Sequence, residues 1–134
     1  MQITRQADYA VRAVLHLAEL KKNGGRAPTS KIASAEHIPP SFLAKIVSQL
    51  SVAGVVQTSR GARGGVSLSR EPSEISLLEV VEAIDGPITL NECVNNPKAC
   101  PFGDRCKVHS IWCRAQADLV NKLSGTSFAE LIEQ

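Results

Sequence analysis

Prolines and glycines divide residues 28–65 more sharply than any other part of the chain. Pro28 and Pro39-Pro40 bracket "TSKIASAEHI", and Gly54 follows "PSFLAKIVSQLSVA", where Phe42, Leu43, Ile46, Val47 and Leu50 recur at helical spacing. Proline disrupts a helix interior but suits its first turn, and a glycine beyond the last apolar turn ends a helix. The pattern therefore predicts a short helix from about Thr29 to Glu36, a tight turn, and a second helix that stops at Gly54: a helix-turn-helix. Two β-prone runs come next, Val55 to Ser59 and Val66 to Ser69, around "RGARGG", whose glycines permit the positive φ of a hairpin tip. A hairpin in that place is a wing.

Further helices flank this motif. Ala7, Ala10, Val11, Val14, Leu15 and Ala18 make one face of an amphipathic helix within Ile3 to Leu20, capped by Thr4 or a neighbour and ending before "KNGG". Ser76 and Glu79 form a capping box for a helix with Leu78, Val81, Ala83 and Ile84 on its apolar face, stopped by Gly86-Pro87. Residues 86 to about 104 read as a cysteine-bearing loop, "CKVHSIWCRAQADLVNKLSG" as a long helix, and Ser127 with Glu130 as the cap of a short last helix. The expected fold class is mainly α, a winged helix-turn-helix with a long C-terminal helix, which the family resemblance given below implies to be a dimerisation helix. Its parts are a DNA-binding region at 1–73, a linker helix at 74–85, the loop at 86–105 and the two C-terminal helices at 106–134. A length of 134 residues, 43% of them apolar, suits one compact unit.

Charge is unevenly spread. Residues 1–70 hold ten Lys/Arg against three Asp/Glu and residues 71–134 five against ten, so halves of +7 and −5 make up the net +2. A basic front half fits a polyanionic partner, most simply double-stranded DNA. In the second motif helix Ser41, Lys45, Ser48 and Gln49 are free to face outward while Phe42, Leu43, Ile46 and Val47 turn inward, as a recognition helix requires. Arg60 and Arg63 on the wing suit a narrow, electronegative minor groove, and the wing glycines, Gly64 among them, allow close approach to a backbone. Thr29 and Ser30, opening the first motif helix, complete the expected contacts. No Ser/His/Asp set, paired-carboxylate pocket or phosphate loop appears, so an enzyme is not expected.

No apolar run approaches a membrane span and no signal-peptide block opens the chain, which predicts a soluble cytoplasmic protein without a membrane partner. Thiols are kept reduced there, so clustered cysteines read as metal ligands or redox groups. Six residues separate Cys93 from Cys100, five separate Cys100 from Cys106, and His109 follows Cys106 by three. None of these is the Cys-x-x-Cys of structural zinc. A helix beginning near Asp104 would hold Cys106, His109 and Cys113 within about a 60° stripe. Val108, Ile111, Trp112, Ala115 and Leu119 would face the other way, toward a partner helix. Spacing alone leaves an iron-sulfur cluster, zinc and a thiol switch open.

"MQITRQADYAVRAVLHLA", "SFLAKIVSQLSVAGVVQTSRGARGGVSL", "CPFGDRCKVHSIW" and "SFAELIEQ", in that order, resemble the iron-sulfur winged-helix transcriptional regulators of the IscR type, with their NsrR-type nitric-oxide-sensing relatives. The resemblance implies a cytoplasmic homodimer whose long helix crosses its counterpart and whose winged helices read a palindromic operator. It also implies cluster ligation by Cys93, Cys100 and Cys106 with His109 as fourth ligand, a mixed set that favours 2Fe-2S over 4Fe-4S, and cluster-assembly proteins as further partners. Two departures stand out. Asp8 occupies a place where nitric-oxide-sensing repressors use an aspartate of the other subunit to complete a 4Fe-4S cluster, so Asp8 and Cys113 are the alternative fourth ligands. Ala44 replaces a glutamate by which the cluster regulator discriminates between operator classes. An iron-sulfur electron carrier would need the cysteines but not the wing.

Overall fold

The computed structural model describes residues 2–21 and 25–134. Helix α1 (Arg5–Leu20) is started by Thr4, whose hydroxyl oxygen accepts the Ala7 N–H at 3.1 Å. Its buried face is Ala7, Ala10, Ala13, Val14, Leu17 and Ala18, and these mostly small side chains let α1 lie against several neighbours at once. Of the "KNGG" before which α1 is expected to end, residues 22–24 lie outside the described residues. α2 (Thr29–Glu36) and α3 (Pro40–Val52) form the helix-turn-helix, with His37 in the left-handed region at φ 55° between them. Leu43, Ile46, Val47 and Leu50 are buried on α3, but Phe42 is 43% exposed and stacks its ring obliquely 6.3 Å from Tyr9. The expectation that Phe42 turns inward was wrong because it lies one residue off the inward stripe of the helix.

The wing is a three-stranded antiparallel sheet of β1 (Arg26–Ala27), β2 (Val56–Ser59) and β3 (Gly65–Leu68), in the order β1-β3-β2. Val56 stands opposite Leu68 and Ser59 opposite Gly65. The two residues of β1 are too few to show an alternating pattern, and only their pairing with Val66 and Ser67 reveals a strand.

α4 (Leu77–Asp85) is capped by Ser76, whose hydroxyl accepts the Glu79 N–H at 3.1 Å. The expected capping box is only half formed, since the Glu79 carboxylate is drawn to Arg70. Val80 and Val81 are the buried residues of α4, Ala83 and Ile84 pack against the core as expected, and only Leu78, half-exposed, departs from the expected face. The loop beyond Gly86 contains a short helix, α5 (Glu92–Asn95), and 3-10 turns at Pro97–Ala99 and Gly103–Arg105. α6 (His109–Ser124) starts later than expected. Gly103, at φ 53°, turns the chain, Cys106 is extended, and no side chain caps the helix ahead of His109. α7 (Phe128–Ile132) is capped by Ser127 and puts Phe128 into the core.

Arg70, at the exit of the wing, joins four parts of the molecule. Its Nε donates to the Gly54 carbonyl at 3.4 Å, one Nη donates to the Glu74 carbonyl at 3.1 Å, and the other pairs with Glu79 on α4. The pair is one-third exposed, so most of its worth lies in the carbonyls it satisfies. Arg70→Ala is expected to lower unfolding free energy by about 1–2 kcal/mol in a urea titration. At the other end of α4, Asp85 accepts from the Thr4 hydroxyl at 2.5 Å, tying the linker helix to the cap of α1. Among the described residues no helix is long and apolar enough to cross a membrane.

Candidate cysteine site and DNA-binding face

Residues 86–109 fold back on themselves so that groups distant in sequence share a cavity. The chain leaves α4 at Gly86 (φ 78°), and the Ile88 N–H donates to Glu82 Oε2 at 3.1 Å, anchoring the buried Ile88. α5 then carries Cys93. The Gly103 N–H donates to the Cys100 carbonyl and the Cys106 N–H to the Gly103 carbonyl, both at 3.3 Å, so the turn returns Cys106 toward Cys100. Cys93, Cys100, Cys106 and His109 line one cavity of about 50 Å³ together with Pro97, Gly103 and Asp104. Cys106 reaches it from the loop and not from the helix, contrary to the expected one-stripe arrangement.

His109, the first residue of α6, has a sulfur at each ring nitrogen. Nδ1 lies 3.4 Å from Cys93 Sγ, and Nε2 lies 3.4 Å from Cys113 Sγ. All four cysteines are free and half-buried. Partial burial, and after it the nearby Cys100, Cys106 and Cys113, push the Cys93 thiol above its ordinary value. A thiophilic metal ion binding there must therefore displace a proton that Cys93 holds at neutral pH. Among the described residues no three thiol, imidazole or carboxylate groups are spaced to share one metal ion. The donors ring a space and do not meet at a point. Asp8 is exposed on α1 and paired with Arg12 at 3.1 Å; it does not line the cysteine cavity of its own chain.

The expected DNA contacts occupy another region. Ser41, Lys45 and Ser48 are exposed on one face of α3, one turn apart. Gln49 differs from expectation: it is half-buried and its Oε1 is buried without a hydrogen-bond partner. Thr29 and Ser30 share a groove of about 340 Å³ with Ser34, Pro40, Leu43 and Ala44, where the first turn of α2 meets that of α3. Arg60 and Arg63 are exposed at the wing tip. Gly64 is needed for close packing inside that tip, because a Cβ there would stand 2.4 Å from the Ser59 carbonyl oxygen.

Residues 3–134 match the model of the Rrf2 family, described as iron-dependent transcriptional regulators. The chain belongs to the Rrf2 family. An HTH-type transcriptional regulator IscR of Photorhabdus laumondii is 33% identical over 132 residues, 98% of this chain and 79% of that protein. In structure the chain is similar to CymR, the global cysteine regulator of B. subtilis, at TM-score 0.82 and 25% identity, covering 99% of this chain and 97% of the other. The T. potens IscR shares the fold at TM-score 0.76 and 22% identity, over 99% and 87% of the two chains. This Rrf2 protein is thus a winged-helix transcriptional regulator that binds DNA.

Three residues that position these regions in the Rrf2 chain escaped the sequence reading. Gln116 Oε1 accepts the Leu90 N–H at 3.0 Å and its Nε2 donates to Asn95 Oδ1 at 3.2 Å, holding the α5 segment, and with it Cys93, against α6. Its place three residues after Cys113 and seven after His109 is the signal that could have found Gln116 and, through it, Asn95. Arg26 donates to the Arg63 carbonyl at 3.0 Å and steadies the wing tip from β1. Nothing in the sequence marked that contact, which depends on a strand of two residues.

Proposed function

We propose that the protein is a cytoplasmic, homodimeric Rrf2 regulator in which Cys93, Cys100, Cys106 and His109 hold an iron-sulfur cluster that biases binding to a palindromic operator. The observation that carries this reading is the convergence of those four side chains on one cavity. Three thiolates and an imidazole suit 2Fe-2S ligation, in which four donors are shared between two irons. The bound cluster, delivered by cluster-assembly proteins, would supply a change of charge and ligation that depends on iron supply or redox state. The chain's own residues do the rest. The loop joins α4 directly at Gly86, and α4 is tied to the cap of α1 through Asp85 and to the wing exit through Arg70. A displacement of the loop therefore acts on the frame that aims α3 and the wing. Val108, Ile111 and Trp112, 43%, 48% and 38% exposed, offer the apolar face through which α6 would meet its counterpart.

Ser41, Lys45 and Ser48 would face the major groove, with Thr29 and Ser30 nearby at the backbone, while Arg60 and Arg63 reach the minor groove. Anaerobic purification with iron, acid-labile sulfide and the visible spectrum measured together, followed by binding to operator-length DNA, tests the whole reading. Two irons and two sulfides per chain with DNA binding support it; a colourless, oxygen-insensitive DNA-binding protein points to zinc, and a cluster without DNA binding at moderate salt points to an electron carrier. In the same assay Arg60→Ala is expected to weaken binding most at A/T-rich sites with narrow minor grooves; an equal loss on every sequence would make Arg60 a phosphate contact only.

A further inference from the structure

The thiol of Cys113 stands apart from the other three. It does not line the cavity shared by Cys93, Cys100, Cys106 and His109, yet its sulfur lies 3.4 Å from His109 Nε2. The opposite ring nitrogen, Nδ1, faces Cys93 at the same distance. We propose that Cys113 is a positioning residue for His109, accepting the Nε2–H so that the bare Nδ1 is presented to the cysteine cavity, and is not itself a cluster ligand. The inference rests on the cluster reading above for its purpose, but its geometry belongs to the chain alone.

A neutral imidazole has one N–H and one lone pair, so settling which nitrogen carries the hydrogen settles which can bind a metal ion. Metal-binding histidines regularly donate their second N–H to a partner that holds the ring in place. Cys113 is suited to that part because it lies one helical turn after His109 on α6, so the helix backbone sets its direction. The same face of α6 carries Gln116, which grips Leu90 and Asn95 around Cys93. One rigid helix thus orients His109 from behind and locates Cys93 in front of it. A fourth thiolate ligand would leave Nε2 without this partner.

The test uses the full chain in two states. In the reduced, cluster-free protein, at a pH where imidazole is neutral, long-range proton-nitrogen NMR reads the tautomer of His109. Wild type and Cys113→Ser are expected to show one Nε2–H form and Cys113→Ala a mixture of tautomers; an Nδ1–H ring in wild type, or identical rings in all three, overturns the proposal. In the cluster-loaded protein Cys113→Ala is expected to keep its iron and visible absorbance as purified. Its imidazole-nitrogen hyperfine signal should change and its cluster should be lost to a chelator about 10- to 100-fold faster, with Cys113→Ser restoring both. Loss of the cluster from Cys113→Ala at purification would instead make Cys113 a ligand and sink the idea. If wild type itself takes up no cluster, the cluster reading fails while the NMR comparison still decides the role of Cys113.

Discussion

Cys100→Ala, purified without oxygen, is expected to emerge colourless, with neither iron nor acid-labile sulfide above background, and yet to remain folded. The two halves of that result have separate physical causes. Cys100 faces the cavity with Cys93, Cys106 and His109, and in the proposed four-donor set its removal would open a coordination site to water and to loss of the cluster. It is half-buried in a segment outside the hydrophobic core, so its removal costs within about 0.5 kcal/mol of stability. The visible spectrum and a urea titration on the same sample check both. An unchanged spectrum would remove Cys100 from the ligand set. His109→Ala and Asp8→Ala complete the comparison: a spectrum altered by the first and not by the second supports histidine ligation. The reverse favours an aspartate supplied by the other subunit, as expected of a 4Fe-4S repressor.

Phe128→Ala is expected to produce the largest loss of stability of any single truncation considered, about 3–5 kcal/mol. Phe128 is 0% exposed and lies in the same core cluster as Leu17, Ile75 and Val80. Its backbone is fixed as well, since the Phe128 N–H donates to the Ile75 carbonyl at 3.1 Å and the Leu77 N–H to the Thr126 carbonyl at 2.9 Å. The neighbourhood therefore has little freedom to collapse into the space that the ring leaves, and the cavity adds to the lost burial. Against a typical total of roughly 5–15 kcal/mol this is a large share, and it should lower the thermal midpoint by on the order of 10 °C. A loss under about 1 kcal/mol in urea would show that α7 contributes little to holding α1 and α4 together.

That dependence on a residue six positions before Gln134 is not apparent in the pattern of the last helix, where Ser127 and Glu130 announce a cap but not its destination. Elsewhere the strong local signals carried through. Thr4, Ser76 and Ser127 cap the helices they precede, and α2, α3 and the wing strands lie where proline, glycine and β-prone runs put them. The errors are of another kind. Period alone points Phe42 and Leu78 inward, and a period does not say which edge of an apolar stripe meets the core. Gln49 falls on the polar side of α3 by period, yet its amide oxygen is buried. α6 starts later than its apolar pattern suggests because Gly103 takes a left-handed turn that no helical pattern discloses.

The sequence by itself determined the helix-turn-helix and the wing, because each of these is written in neighbours a few positions apart, and the uneven charge, because that is a sum over residue types. Only the tertiary structure decided which distant residues meet. Cys93 comes to the cavity because Gln116 holds Leu90 and Asn95, at sequence separations of 26 and 21, and Arg70 reaches Gly54, Glu74 and Glu79 because the wing turns the chain back onto α3 and α4. The same closure divides the thiols, bringing Cys106 to the cavity from the loop and leaving Cys113 behind His109. Contacts of this kind depend on the burial of a common core far along the chain, and no local pattern of residue types encodes the directions in which side chains then point.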